Sequence, residues 1–202
     1  MTSNRMVTRD IQLDKKKKKS IEEYMHFLMK SNKETNLISR KMTRDNLLCL
    51  IQETLFIGPL VSKPGIIDAG SGNGLLGVPL AILNKKRPVV LVETKKKKVS
   101  FLRKLKSQMS LDNIEIYEGP IEDYLRKTPS ENFSLVTRGF PRLEIILRYL
   151  HKGIVREILV ITAKRKMIKI KKGMESITQK TYNIPFRDNI VIYKMENVSR
   201  ET

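Results

Sequence analysis

The sequence predicts an α/β fold: a doubly wound, mostly parallel sheet that ends in an antiparallel hairpin and is prefaced by a small helical extension. Three observations carry this. From Ile66 onward, short apolar runs alternate with amphipathic stretches, the pattern of parallel strands covered by helices on both faces. The first run, Ile66-Ile67-Asp68-Ala69, leads directly into Gly70-Ser71-Gly72-Asn73-Gly74 and a helical pattern, and such a strand-to-helix glycine turn presents backbone to a nucleotide-like ligand. The last two apolar runs, 176–182 and 189–195, are joined by too few residues for a crossover helix, so they pair antiparallel.

Residues 1–19 read as a mobile basic arm, because the like charges of Lys15 to Lys19 repel one another. Residues 20–63 form the helical extension. Ser20 with Glu23 makes a capping box, and Ile21, Tyr24, Met25 and Leu28 share one helical face. A second helix, about Asp45 to Phe56, is broken by Gly58-Pro59 and Lys63-Pro64-Gly65. The main domain, 64–202, then places strands at 66–69, 89–93, 114–117, 135–138, 158–162 and the two hairpin runs. Helices are expected from about Leu75, from about Lys97 to Met109, and near Leu143 to Leu150.

The 202 residues suit one well-cored domain with a short appendage. Forty Lys and Arg stand against 21 Asp and Glu, a net charge of +19 spread along the chain, which points to a polyanionic partner such as RNA. Cys49, the only cysteine, lies among Leu47, Leu48, Leu50 and Ile51, so a disulfide framework and a thiolate metal site are both ruled out. His26 and His151 show no ligand spacing, and no metal is expected. No apolar run approaches the ~20 residues of a spanning helix, and a secretory or organellar leader is not recognisable. A cytoplasmic protein, acting as a monomer, is expected.

Two cofactors suit a glycine loop followed by Glu93 at the end of the second strand, where an acid can hold ribose hydroxyls. A dinucleotide fingerprint reads G-x-G-x-x-G, whereas the spacing here is G-x-G-x-G, with Leu75 in place of the third glycine. Asp68, two residues before the first glycine, would repel a pyrophosphate and suits the ammonium and sulfonium of S-adenosylmethionine. The methyl donor is therefore favoured, and a nicotinamide cofactor is the alternative.

The ordered elements, a parallel sheet ending in an antiparallel hairpin, resemble the class I methyltransferase fold. More narrowly, the chain resembles the bacterial small-subunit rRNA guanine-N7 methyltransferases, the glucose-inhibited division protein B family. The likeness rests on Tyr24, Phe27-Leu28 and Asn32 to Ile38, on Asp68 to Leu80 with its early Pro79, on Glu93 to Leu102, and on Asn113-Ile114-Glu115 with Ile121-Glu122. The family's Ser-Arg-Ala-Phe reads here Thr137-Arg138-Gly139-Phe140, and its Leu-Lys-Gly reads Ala163-Lys164-Arg165. Where the family has Arg-His followed by Asp-Ser, the chain has Cys49 to Thr54.

This resemblance implies cofactor binding by Asp68, Gly70, Ser71, Gly72, Gly74, Leu75, Glu93, Ile121, Glu122 and Arg138, and catalytic positioning by Arg138 and Lys164. It implies 16S rRNA, free or in the assembling small subunit, as partner. The segment Thr137 to Pro141 lacks the Asn/Asp-Pro-Pro-Tyr/Phe of amine methylases, and Cys49 is remote from it, which leaves a ring nitrogen such as guanine N7. Arg138 is expected to contact guanine O6 or phosphate. A diverged relative that binds RNA without methyl transfer is the alternative function.

Overall fold

The computed structural model describes residues 13–166, 168, 170 and 172–198. A seven-stranded sheet has the order β3-β2-β1-β4-β5-β7-β6, formed by β1 (Gly65–Ala69), β2 (Val89–Glu93), β3 (Ile114–Glu118), β4 (Phe133–Arg138), β5 (Glu157–Ala163), β6 (Ile177–Ile184) and β7 (Arg187–Asn197). The first five strands pair parallel, and β7 runs antiparallel to both β5 and β6. Every residue of β1 and β2 is buried, as central parallel strands require.

Alternate residues of these strands feed two cores. Ile66, Leu91, Val136 and Leu159 pack under α1 (Lys15–Thr35), α2 (Arg44–Ile57), α3 (Gly77–Leu83) and α4 (Lys96–Met109). Ile67, Val90, Leu135 and Ile158 pack under α5 (Ile121–Lys127) and α6 (Leu143–His151). The chain winds outward from β1 through β2 to β3 and then returns to β4 on the other side of β1. The order thus reverses between β1 and β4, and the crevice beyond their carboxyl ends is where such sheets take ligands.

The expected basic arm is corrected in part. Residues 1–12 lie outside the described residues, but Lys15 to Lys19 are helical, and α1 begins five residues before Ser20. Asp14 is the N-cap: its Oδ1 accepts from Lys17 N at 2.8 Å and its carboxylate pairs with Lys17 Nζ at 3.3 Å. An anion at the helix start offsets the opposed dipole, Lys19 reaches Glu23 one turn on at 3.9 Å, and a helix fans successive lysines apart. The Ser20–Glu23 capping box therefore does not form.

Helix α5 is absent from the sequence reading. It has seven residues, too few for an amphipathic pattern to stand out, yet Ile121, Tyr124 and Leu125 keep the helical spacing and are buried. Helix α3 starts at Gly77 rather than near Leu75, because Asp68 Oδ2 accepts the Gly77 N–H at 2.8 Å and fixes where the first turn begins. A Cβ at Gly77 would collide with the Leu91 side chain, so glycine lets α3 lie close on β2.

Candidate active site at the sheet switch point

The loop after β1 turns through positive φ at Gly70, Gly72 and Gly74 (71°, 61° and 82°), values that favour glycine. It is fastened from three sides. Ser71 N and Oγ both donate to Val92 O, at 3.0 and 3.3 Å. Glu93 Oε2 accepts from Gly72 N at 2.8 Å, while its Oε1 accepts from Thr94 N and Lys95 N at 2.9 Å each. Leu75 O accepts from Thr54 Oγ1 at 2.8 Å. Asp68, the loop and Glu93 are thereby brought together, as the sequence anticipates.

Asp68 is 1% exposed. Burial pushes its carboxyl up to about 7, against the pull of the Gly77 N–H and Arg138 and with a small push from Glu93. Beside it Tyr24 of α1, fully buried, donates its hydroxyl to Asn73 O at 3.1 Å. Burial and the Asp68 charge drive that phenol far above its ordinary range, so it remains a proton donor to the loop at any working pH.

Ile121 and Glu122 follow β3, whose end adjoins Glu93 through Gly119 N–H to Glu93 O at 3.0 Å. Arg142 Nη2 lies 3.1 Å from Glu122 Oε1, but Glu122 Oε2 is buried with no hydrogen-bond partner. Lys98 of α4 lies over the loop, with its Nζ 3.5 Å from where a Cβ on Gly72 would stand. This carries the Lys95 to Lys98 run, which has no acid in the first turn of α4, to the rim of the crevice.

Arg138 is less available than the sequence reading supposes. Its Nη1 donates to Glu53 Oε2 on α2, and its Nη2 donates to Leu50 O at 3.3 Å and Thr54 Oγ1 at 3.5 Å. Its Nε is buried without a partner. The guanidinium is thus drawn back toward α2 and Asp68 instead of reaching outward toward a base. Lys164 lies exposed in the turn after β5, its backbone N–H held by Asn189 O at 3.0 Å, at the same end of the sheet but not against Arg138.

Sequence reasoning passed over three contributors: Glu53, Tyr24 as a loop contact, and Phe140. Glu53 left a readable signal, a carboxylate flanked by the apolar pairs Leu50-Ile51 and Leu55-Phe56 on a helix that is mostly apolar from Leu47 onward. Phe140 closes the crevice, its ring 3.2 Å from where a Cβ on Gly70 would stand. A cavity of about 700 Å³ lined by Pro88, Asn113, Ile114, Tyr124, Thr128 and Phe133 sits by the amino ends of β2 and β3, away from this chemistry. Among the described residues no three metal-ligating side chains cluster.

A sheet of this order with its antiparallel β7, and a glycine loop flanked by acids at the ends of β1 and β2, define the class I methyltransferase architecture. The human methyltransferase 10 domain containing protein shares it, with a TM-score of 0.56 at 13% identity over 93% of this chain and 100% of that one. The chain belongs to the GidB family, rRNA small subunit methyltransferase G, whose profile matches residues 17–189. It is 31% identical over 141 residues to ribosomal RNA small subunit methyltransferase G of Edwardsiella ictaluri, covering 70% of this chain and 68% of that protein. The corresponding protein of Brachyspira hyodysenteriae is 30% identical over 195 residues, 95% of this chain and 90% of its own length.

Proposed function

We propose that this chain transfers a methyl group from S-adenosylmethionine to N7 of a guanine in the 16S rRNA of the small ribosomal subunit. The observation that carries the reading is the convergence of Asp68, the Gly70 to Gly74 loop and Glu93 at the switch point, in a member of a small-subunit rRNA methyltransferase family. The reading extends to a monomeric cytoplasmic enzyme that meets its rRNA free or in the assembling subunit.

The residues fit this donor. Asp68, buried at the carboxyl end of β1 where it also holds the Gly77 N–H, would supply the counter-charge for an ammonium. The buried Arg138 Nε, without a protein partner, suits a carboxylate at the same end of the methionine. Ser71 and Leu75 hold the loop backbone in position to lie along the ligand. Glu93 keeps acceptor capacity for ribose hydroxyls beyond the N–H groups it already holds. Ile121 would flank the adenine, and Glu122 Oε2, buried without a protein partner, would accept from its amine.

Bound S-adenosylmethionine supplies an electrophilic methyl on a sulfonium sulfur. The protein needs no general base for guanine N7, which bears no proton and offers a lone pair; alignment and exclusion of water suffice. Phe140 provides an aromatic face for an unstacked base, and Lys164 and the Lys95 to Lys98 run take backbone phosphate. The test incubates the protein with labelled S-adenosylmethionine and 16S rRNA or small subunits lacking the modification. N7-methylguanine is a fixed cation, so mild reduction and aniline should cut the strand at the labelled position. Label on an exocyclic amine or a ribose refutes the N7 assignment, and no label on any rRNA favours a noncatalytic RNA-binding relative.

A further inference from the structure

Arg187, the first residue of β7, has no part in the chemistry above, yet it reaches the same buried carboxylate as Arg138. Its Nε lies 2.9 Å from Glu53 Oε1 without hydrogen-bond alignment, and its Nη1 donates to Cys49 Sγ at 3.2 Å. Glu53 is fully buried, with Arg138 on its other oxygen. One carboxylate therefore stands between two guanidiniums, and the group carries a net positive charge beside the crevice. Without Arg187 the Glu53–Arg138 pair would be neutral, and at short range in a partly buried site Glu53 would cancel most of the attraction of Arg138 for an anion.

We infer that Arg187 is a positioning residue for the cofactor: it neutralises Glu53, so that Arg138, oriented by that same carboxylate, keeps its charge for the carboxylate of the methionine moiety. The inference rests on the cofactor reading above. It also gives the C-terminal hairpin and the helical extension a common task, since β7 and α2 each contribute one member of the group.

Calorimetric titration with S-adenosylhomocysteine and with 5′-methylthioadenosine, which lacks the amino-acid end, tests it. Arg187→Leu should weaken S-adenosylhomocysteine on the order of ten- to hundredfold and leave methylthioadenosine unchanged. Arg187→Lys should retain most of the affinity. The double variant Arg187→Leu/Glu53→Gln should recover much of the loss, because no uncompensated carboxylate is left. Equal weakening of both ligands would reveal a purely structural residue and overturn the inference, as would an unchanged ratio of the two affinities. A wild-type protein that binds neither ligand would overturn the cofactor reading itself.

Discussion

Two buried glutamates at opposite ends of the sheet have been treated very differently. Glu157, at the amino end of β5, accepts from Ser62 N at 3.0 Å, from the Ser62 and Ser134 hydroxyls and from Lys194 Nζ at 2.8 Å. Lys194 in turn donates to Leu60 O at 3.1 Å and pairs with Glu196 at 3.4 Å. Both carboxylate oxygens are served, and the network ties the linker before β1 to β4, β5 and β7. Glu53 at the other end has an oxygen without aligned hydrogen bonding, beside an Arg138 Nε without any; Glu122 Oε2, in the helix that follows β3, is also unpartnered. Satisfied polar networks fix a scaffold, whereas unmet polar groups in a crevice mark the place a ligand completes.

Titration separates the two ends in opposite directions. Burial pushes Glu157 up, but Lys194 and the two serines outweigh it and hold the carboxyl below its ordinary range. Its contribution is present above an unfolded value of 4.5 and is lost as pH falls through its lower folded value. Asp68, raised from 3.8 to about 7, behaves oppositely: its contribution is full below 3.8 and is lost as pH rises through about 7. The cofactor-free protein should thus gain stability from pH 8 to about 5 at the loop end, and lose it from the amino end below the carboxylate range.

Breaking the satisfied end should cost most. Glu157→Ala takes the acceptor from the Ser62 and Ser134 hydroxyls and leaves Lys194 with only Leu60 O and the partly exposed Glu196, and should destabilise by roughly 3–5 kcal/mol in urea unfolding; a loss under 1 kcal/mol would deny the network its structural role. Asp68→Asn removes a buried charge from the unmet end, and at pH 8 it should stabilise the cofactor-free protein by on the order of 3 kcal/mol while weakening S-adenosylhomocysteine tenfold or more. Destabilisation at pH 8 would contradict that comparison. Tyr24→Phe deletes one buried hydrogen bond to the loop, worth about 1 kcal/mol, and should show as a several-fold loss of S-adenosylhomocysteine affinity; unchanged binding would free the loop from α1.

The smallest stability effect is expected at Lys95 to Lys98, where replacement by Ser removes cations that oppose the dipole of α4. The fold should be unharmed, while rRNA affinity falls less steeply with salt by a log-log slope of about 0.7 for each phosphate that is no longer neutralised. An unchanged slope would make the lysines mere solvation.

The sheet was legible because β2 and β5 are nearly continuous apolar runs and β1 and β4 carry the pairs Ile66-Ile67 and Leu135-Val136, with punctuation between them that admits few alternatives. The loop was legible for the same local reason: Asp68, three glycines and Glu93 sit within 26 residues of one another. The start of α1 was not, since a lysine run reads as repulsion until Asp14 is seen to cap it. The surroundings of Arg138 were hidden more deeply. Glu53 stands 85 residues before Arg138, Arg187 lies in a different strand again, and only the packing of α2 over the switch point and the turn into β7 brings the three into one group. Local chemistry is written in neighbouring residues; charge compensation between distant segments is written in the topology.

The most direct measurement is calorimetric titration of S-adenosylhomocysteine near pH 7 in two buffers of different ionisation enthalpy. The ligand's ammonium should draw the Asp68 carboxyl down from about 7, so binding should release a fraction of a proton and tighten as pH rises from 6 to 8, and Asp68→Asn should bind more weakly with no such release. Binding without proton linkage, or no binding at all, would contradict the assignment of the unmet end of the sheet as the methyl-donor site.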